Sequence, residues 1–301
     1  MRAGWITVGL FVASFGVACV AGDQTTSQPG DKPVVKATSR PAKYVPPGEE
    51  TGLRQAGSPP ASESTTLSSG DPKVDGILDR LEVKGQSIKG LGCKVTYKYV
   101  TVFPVEDAQI KEGELLFART EPNSRFLIHF TKMIADGIVS RRGEYFLFDG
   151  EWLTERNDKA RTIIKRQIVR KGERVDPFKL GKGPFPLPFG QKRADILRNF
   201  KVRLKKFALG DPRNTHHLHC VPLPNTELAR KYSRVDIFVS GKIELPVRIM
   251  TERLSDGNRI EVDFKEIDTD EAPALSRFQI EEPDNFTVTE EPLPVVPKGD
   301  G

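Results

Sequence analysis

From Cys93 to Phe264 the chain repeats one pattern, an apolar residue followed by a polar one, in short runs broken by glycine, proline, asparagine or aspartate. Only a pleated strand puts every second side chain on one face, so the pattern commits the chain to half-buried β-strands. In "CKVTYKYV", Cys93, Val95, Tyr97 and Tyr99 alternate with Lys94, Thr96 and Lys98; "GELLFAR" and "SRFLIHF" follow, separated by a turn around Pro122 and Asn123. "GEYFLFDGEWLTE" reads as a hairpin turning at Asp149 and Gly150, and the stretch from Val235 to Phe264 reads as two more, turning at Ser240 and Gly241 and at Asp256 and Gly257. Val247 and Ile249 share one face, as do Ile260, Val262 and Phe264, while Arg248, Glu252, Glu261 and Asp263 take the other. Roughly ten strands at this spacing are more than a flat sheet tolerates. The expected fold is therefore mainly β with a few helices (α+β), a curled antiparallel sheet with helices against its concave side.

Three segments carry the helical period instead. Asp71 can cap and Pro72 fits a first turn, after which Val74, Ile77, Leu78, Leu81 and Ile88 recur at helical spacing until Gly90. Shorter candidates are "QKRADILRNF" at 191–200 and "NTELARKY" at 225–232, the latter with Asn225 as cap. Upstream, residues 1–22 have an apolar run of signal-peptide length ending in Ala21 and Gly22, which predicts export. Cys19 in "GVAC" leaves open a lipoprotein signal in which this cysteine is acylated and tethers the chain. Residues 23–70 are a low-complexity leader too poor in large apolar residues to fold; the globular domain spans 71–290, and 291–301 is a flexible tail.

The formal charge of +5, from 46 basic and 41 acidic residues, is too small and dispersed to argue for nucleic acid. Charge is segregated by region: 159–174 and 192–206 are basic and 261–291 acidic, read as two surfaces that attract each other or an anionic partner. The interleaved "RNFKVRLKKFA" is a half-buried strand whose cations could meet an anionic lipid head group. No nucleophile elbow, phosphate-binding glycine loop or paired-cysteine metal motif occurs, so neither a catalytic residue, a metal nor a cofactor is expected. In "NTHHLHC", His217 and His219 point away from Leu218 and Cys220, which makes them a solvent-facing pair beside a core strand rather than a metal site. Cys93 and Cys220 are an even pair once the signal is removed; they are expected to bridge, with two buried thiols as the alternative.

The order of elements, with "EGELLFARTEPNSRFLIHF", "MIADGIVSRRGEYFLFDGEWL", a proline and phenylalanine loop, and a closing Phe278, Pro283 and Phe286, resembles the outer-membrane lipoprotein carrier family, the LolA-like periplasmic proteins, over about residues 72–288. The resemblance implies an unclosed half-barrel with helices as a lid over an apolar cavity that receives lipoprotein acyl chains. It implies no chemistry, a monomeric shuttle, an inner-membrane donor and an outer-membrane acceptor. The arginine that precedes the turn proline in the family, where it helps to hold the lid shut, is Glu121 here, with Arg119 and Arg125 as nearby substitutes.

On a curled sheet, one register formed by Val95, Tyr97, Leu115, Phe117, Phe126, Ile128, Val247, Ile249, Val262 and Phe264 is expected to line that concavity. The loop "GKGPFPLPFG" at 181–190 would place Phe185, Leu187 and Phe189 at its rim. The expected function is a carrier of acyl chains or other lipids. A lipid- or peptide-sensing regulatory module on the same fold is the alternative.

Overall fold

A computed structural model of the chain describes residues 67–141, 143–173 and 191–294. The expected signal, the leader up to residue 66 and the loop at 181–190 lie outside the described residues. Helix α1 (Pro72–Ser87) opens the domain, with the Asp71 carboxylate accepting from the Lys73 amide at 2.9 Å. It is followed by β1 (Gly90–Thr101), β2 (Asp107–Ala118), β3 (Arg125–Ala135), β4 (Ile138–Ser140), β5 (Glu144–Phe148), β6 (Trp152–Asn157) and β7 (Thr162–Gln167). Then come α2 (Arg193–Asn199), β8 (Phe200–Lys205), β9 (Thr215–Pro222), α3 (Glu227–Lys231), β10 (Tyr232–Ser240), β11 (Pro246–Arg253), β12 (Arg259–Asp268) and β13 (Thr287–Glu291).

All 13 strands join one sheet, in the order β13-β7-β6-β5-β3-β2-β1-β12-β11-β10-β9-β8, with β4 beside β3. Among the described residues the sheet does not close, and β13 and β8 are its edges. Nine strand spacings of about 4.8 Å separate β6 from β8, roughly 43 Å if flat, whereas a helix with its side chains is only about 10–12 Å wide. Yet Leu153 of β6, Phe200 and Val202 of β8, and Val74, Ile77, Leu78 and Leu81 of α1 belong to a single buried cluster. The sheet curls as an open half-barrel, with α1 in the buried cluster on its concave face.

The hairpins turn close to the expected residues. Asp149 donates its amide to the Trp152 carbonyl, so the turn is centred on Gly150 and Glu151, and Gly257 sits at φ +70° in the loop from β11 to β12. At the β2–β3 irregularity, a Cβ on Gly113 would come within 1.9 Å of the His129 carbonyl oxygen, so no other residue fits that close approach. The cap of α3 is Thr226, whose hydroxyl accepts from the Ala229 amide at 3.1 Å; Asn225, expected to cap, instead takes φ +68° one residue earlier.

The acidic segment after β12 is not a solvated surface of its own but a strap over the convex face. Phe278 packs on Leu116, Ala118, Leu127 and Leu147, all buried. The guanidinium of Arg156 lies over the rings of Tyr145 and Phe286 at 4.9 and 5.0 Å. The strap ends in β13, which pairs parallel with β7, where Lys165 meets Glu282 and Glu290 and Arg166 meets Glu291. The basic and acidic regions seen in the sequence thus attract each other within the chain.

The expected Cys93–Cys220 bridge is not formed: both cysteines are free and buried. Both side chains do face inward, but β12, β11 and β10 lie between β1 and β9, about 19 Å along the sheet, while a disulfide needs Cα atoms within about 7 Å. Burial pushes the Cys93 thiol up to about 12 and holds Cys220 higher still. Thiol labelling mapped by peptide should leave both unmodified in the native protein and modify both in denaturant, whereas a bridge would leave neither reactive in denaturant without reductant.

Candidate functional site: the hollow of the half-barrel

Strand register assigns the inner face. Val95 pairs with Phe264 and Gly113, and Tyr97 with Val262 and Lys111. Leu115 pairs with Ile128, Phe117 with Phe126, and Ile249 with Val262 and Ile237. The structure therefore brings the sequence-predicted lining together on one face. Val95, Leu115, Phe117, Phe126, Ile128, Ile249 and Phe264 are buried in the cluster that includes α1, and Tyr97 and Val262 are partly buried against it. Val247 is the exception: it is the extra residue of an irregularity between β10 and β11, left half-buried outside the cluster. Phe185, Leu187 and Phe189 lie outside the described residues.

Helix α1 is moored across this hollow by polar contacts at both ends. At its C-terminal end, where helix carbonyls lack intrahelical partners, Arg119 donates from Nε to the Ile88 carbonyl and from Nη2 to the Gly85 carbonyl, both at 3.0 Å, while its amide donates to Lys89 O at 2.8 Å. Arg119 is thus the arginine that ties helix to sheet; Arg125 starts β3, paired through its backbone with Ala118. Nearer the N-terminal end, Arg193 of α2 bonds Asp79 at 2.9 Å and approaches Asp75 at 3.3 Å, and its amide donates to Glu82. Hydrogen bonds from Ser68 and Ser69, with Arg193 nearby, hold the Asp75 carboxyl below the usual range despite the opposing effect of burial.

Sequence reasoning missed a second component of the same face, its charge. On the inner register, Lys111 of β2 and Glu144 of β5 form an ion pair with side chains 8% and 14% exposed, and the Lys111 ammonium lies 5.9 Å from the centre of the Phe130 ring. Further along, Glu155 of β6 pairs with Arg166 of β7; burial holds the Glu155 carboxyl above the usual range although Arg166 pulls it down. Burial, with smaller effects from Tyr99, Tyr232 and Glu144, also drives the Tyr97 hydroxyl well above its usual value. The signal was present, since Lys111 continues the inner register of Leu115 and Gly113, and Glu144 that of Phe148 and Phe146. The hollow is therefore apolar beneath α1 and mixed aromatic and ionic from β2 to β7.

His217 and His219 lie on the outward face, as expected, but are half-buried there. His217 Nε2 and His219 Nδ1 donate to the same oxygen of Asp236 on the convex face, at 2.9 and 2.7 Å. Among the described residues no group of three or more His, Cys, Asp or Glu side chains is arranged to hold a metal ion, and no helix is long and apolar enough to cross a membrane.

Arg119→Ala should leave the sheet intact and free the last turn of α1. The expected outcome is a loss of about 1.5–3 kcal/mol in denaturant unfolding, for charge-assisted bonds to carbonyls, with faster amide exchange at residues 83–89. Unchanged exchange there would show that the arginine does not moor the helix.

No family model matches the chain, and no curated protein matches it. Among solved structures, it is similar to an uncharacterised conserved protein from Thermus thermophilus, with 9% identity over 73% of this chain and 99% of that one and a TM-score of 0.44. It is also similar to MucB, with 13% identity over 70% of this chain and 64% of that one and a TM-score of 0.41. A LolA superfamily protein from Nitrosomonas europaea aligns with 14% identity over 68% of this chain and 97% of that one, with a TM-score of 0.33. These likenesses are of fold alone; the described fold is an unclosed, mostly antiparallel sheet with a helix laid in its hollow.

Proposed function

We propose that the protein is a non-enzymatic periplasmic carrier that receives the acyl chains of lipoproteins or other lipids in the hollow of the half-barrel. It would take its cargo from an inner-membrane donor and deliver it to an outer-membrane acceptor. The observation that carries this reading is the convergence of apolar side chains from β1, β2, β3, β11 and β12 on the concave face of a sheet that stays open, with Tyr97, Phe146 and Val262 only partly buried there. Each methylene of a guest laid against them contributes about 0.8 kcal/mol, so micromolar affinity, about 8 kcal/mol, takes at least about ten buried methylenes before the cost of association. Release requires movement of α1, whose moorings are ionic and hydrogen-bonded rather than covalent.

The test is titration with a fluorescent fatty acid. The wild-type protein should bind at micromolar concentration, and Val262→Glu should weaken binding at least tenfold, on the order of 1.4 kcal/mol, while leaving the melting curve nearly unchanged. Phe264→Glu, which places a charge in the packing under α1, should instead destabilise the fold by several kcal/mol. A wild-type protein that binds neither fatty acid nor lipopeptide contradicts the carrier reading.

A further inference from the structure

The outward face of edge strand β8 and the loop that follows it take no part in the hollow. Phe200, Val202 and Leu204 point inward, so Lys201, Arg203 and Lys205 project from the convex face, and Lys206 and Arg213 continue the basic strip. All five are exposed, and among the described residues none forms a side-chain hydrogen bond or ion pair. Lys94, Arg156, Lys165 and Arg248 are engaged by acidic partners and scattered cations such as Lys98 and Lys242 are not, but these five lie together along one edge.

Between Lys206 and Arg213 the loop holds two apolar side chains out to water, Phe207 at 66% exposure and Leu209 at 104%. The loop is built to keep them there. Asp211 accepts from the Ala208 amide at 2.9 Å and donates its own amide to Ala208 O, Arg248 donates to Gly210 O at 3.0 Å, and His217 lies 3.5 Å from the Asp211 carboxylate. A lysine-lined edge alone is explained as a guard against strand pairing between molecules, but that purpose does not call for an exposed phenylalanine and leucine at its tip. Fixed apolar tips within a strip of unneutralised cations match a bilayer with anionic head groups: the rings and methyls enter the acyl boundary while the cations meet phosphates.

We infer that β8 and the 206–214 loop form a docking edge for anionic phospholipid bilayers. Because the edge lies on the convex side, contact there leaves the hollow unobstructed, and the inference stands or falls independently of lipid carriage.

Co-sedimentation of the full chain with vesicles tests it, comparing phosphatidylcholine with mixtures containing about a third phosphatidylglycerol, where each basic residue near the surface adds a similar increment. Neutral vesicles account for any contribution of the N-terminal apolar run. The wild type should prefer the anionic vesicles and lose that preference in about 1 M salt. The triple variant Lys201→Glu, Arg203→Glu, Lys205→Glu should bind them on the order of a hundredfold more weakly, and Phe207→Ser with Leu209→Ser at least tenfold more weakly. The corresponding glutamine triple variant, which should melt like the wild type, must show the same direction. Equal binding to both vesicles, variants that bind like the wild type, or binding of soluble polyphosphate with no binding to vesicles would overturn the inference.

Discussion

Everything in this structure depends on one packing arrangement, the apolar face of α1 lying in the hollow of a sheet that never closes. Val74, Ile77, Leu78 and Leu81 are buried there, and their burial contributes on the order of 6–12 kcal/mol before the cost of ordering the chain. Without the helix the inner faces of β1, β12, β11 and β10 would meet water. The moorings by Arg119, Arg193 and the Arg80–Glu244 pair at 3.2 Å set where the helix lies rather than how strongly it packs.

An open sheet has two edges, and the molecule treats them differently. At one, the chain supplies its own cover: the strap anchored by Phe278 runs to β13, and acidic residues on it meet basic residues of β7. At the other, β8 carries cations that meet no partner within the described chain. The regional segregation of charge visible along the sequence resolves into these two outcomes, one internal and one directed outward.

Most of the sheet was legible because its signals are local. The alternation around Val95, Leu115 and Phe126 fixes which residues share a face, and Asp71 with Pro72 fixes where α1 begins. What escaped depends on partners distant in sequence. The turn at the end of β9 needed a positive φ at Asn225, which moved the cap to Thr226. The disulfide looked reasonable from cysteine parity and inward orientation, and it failed on strand order, which no local pattern encodes. β13 has five exposed residues and no apolar face, so it carried no strand signal and is a strand only because β7 offers it an edge. Lys111 and Glu144 each lie on the inner parity of their own strand, but that they pair with each other shows only once β2, β3 and β5 are aligned.

The account's central claim is that the concave face receives the guest. The most direct measurement is photo-crosslinking with a fatty acid carrying a diazirine near its methyl end, followed by peptide mapping of the labelled sites. The account predicts insertion at inner-register residues of β1, β2, β5 and β12, including Tyr97, Phe146 and Val262, with labelling suppressed by excess unlabelled fatty acid. Insertion confined to convex-face residues such as Lys94, His129 or Arg203, or labelling that excess fatty acid does not suppress, would contradict it.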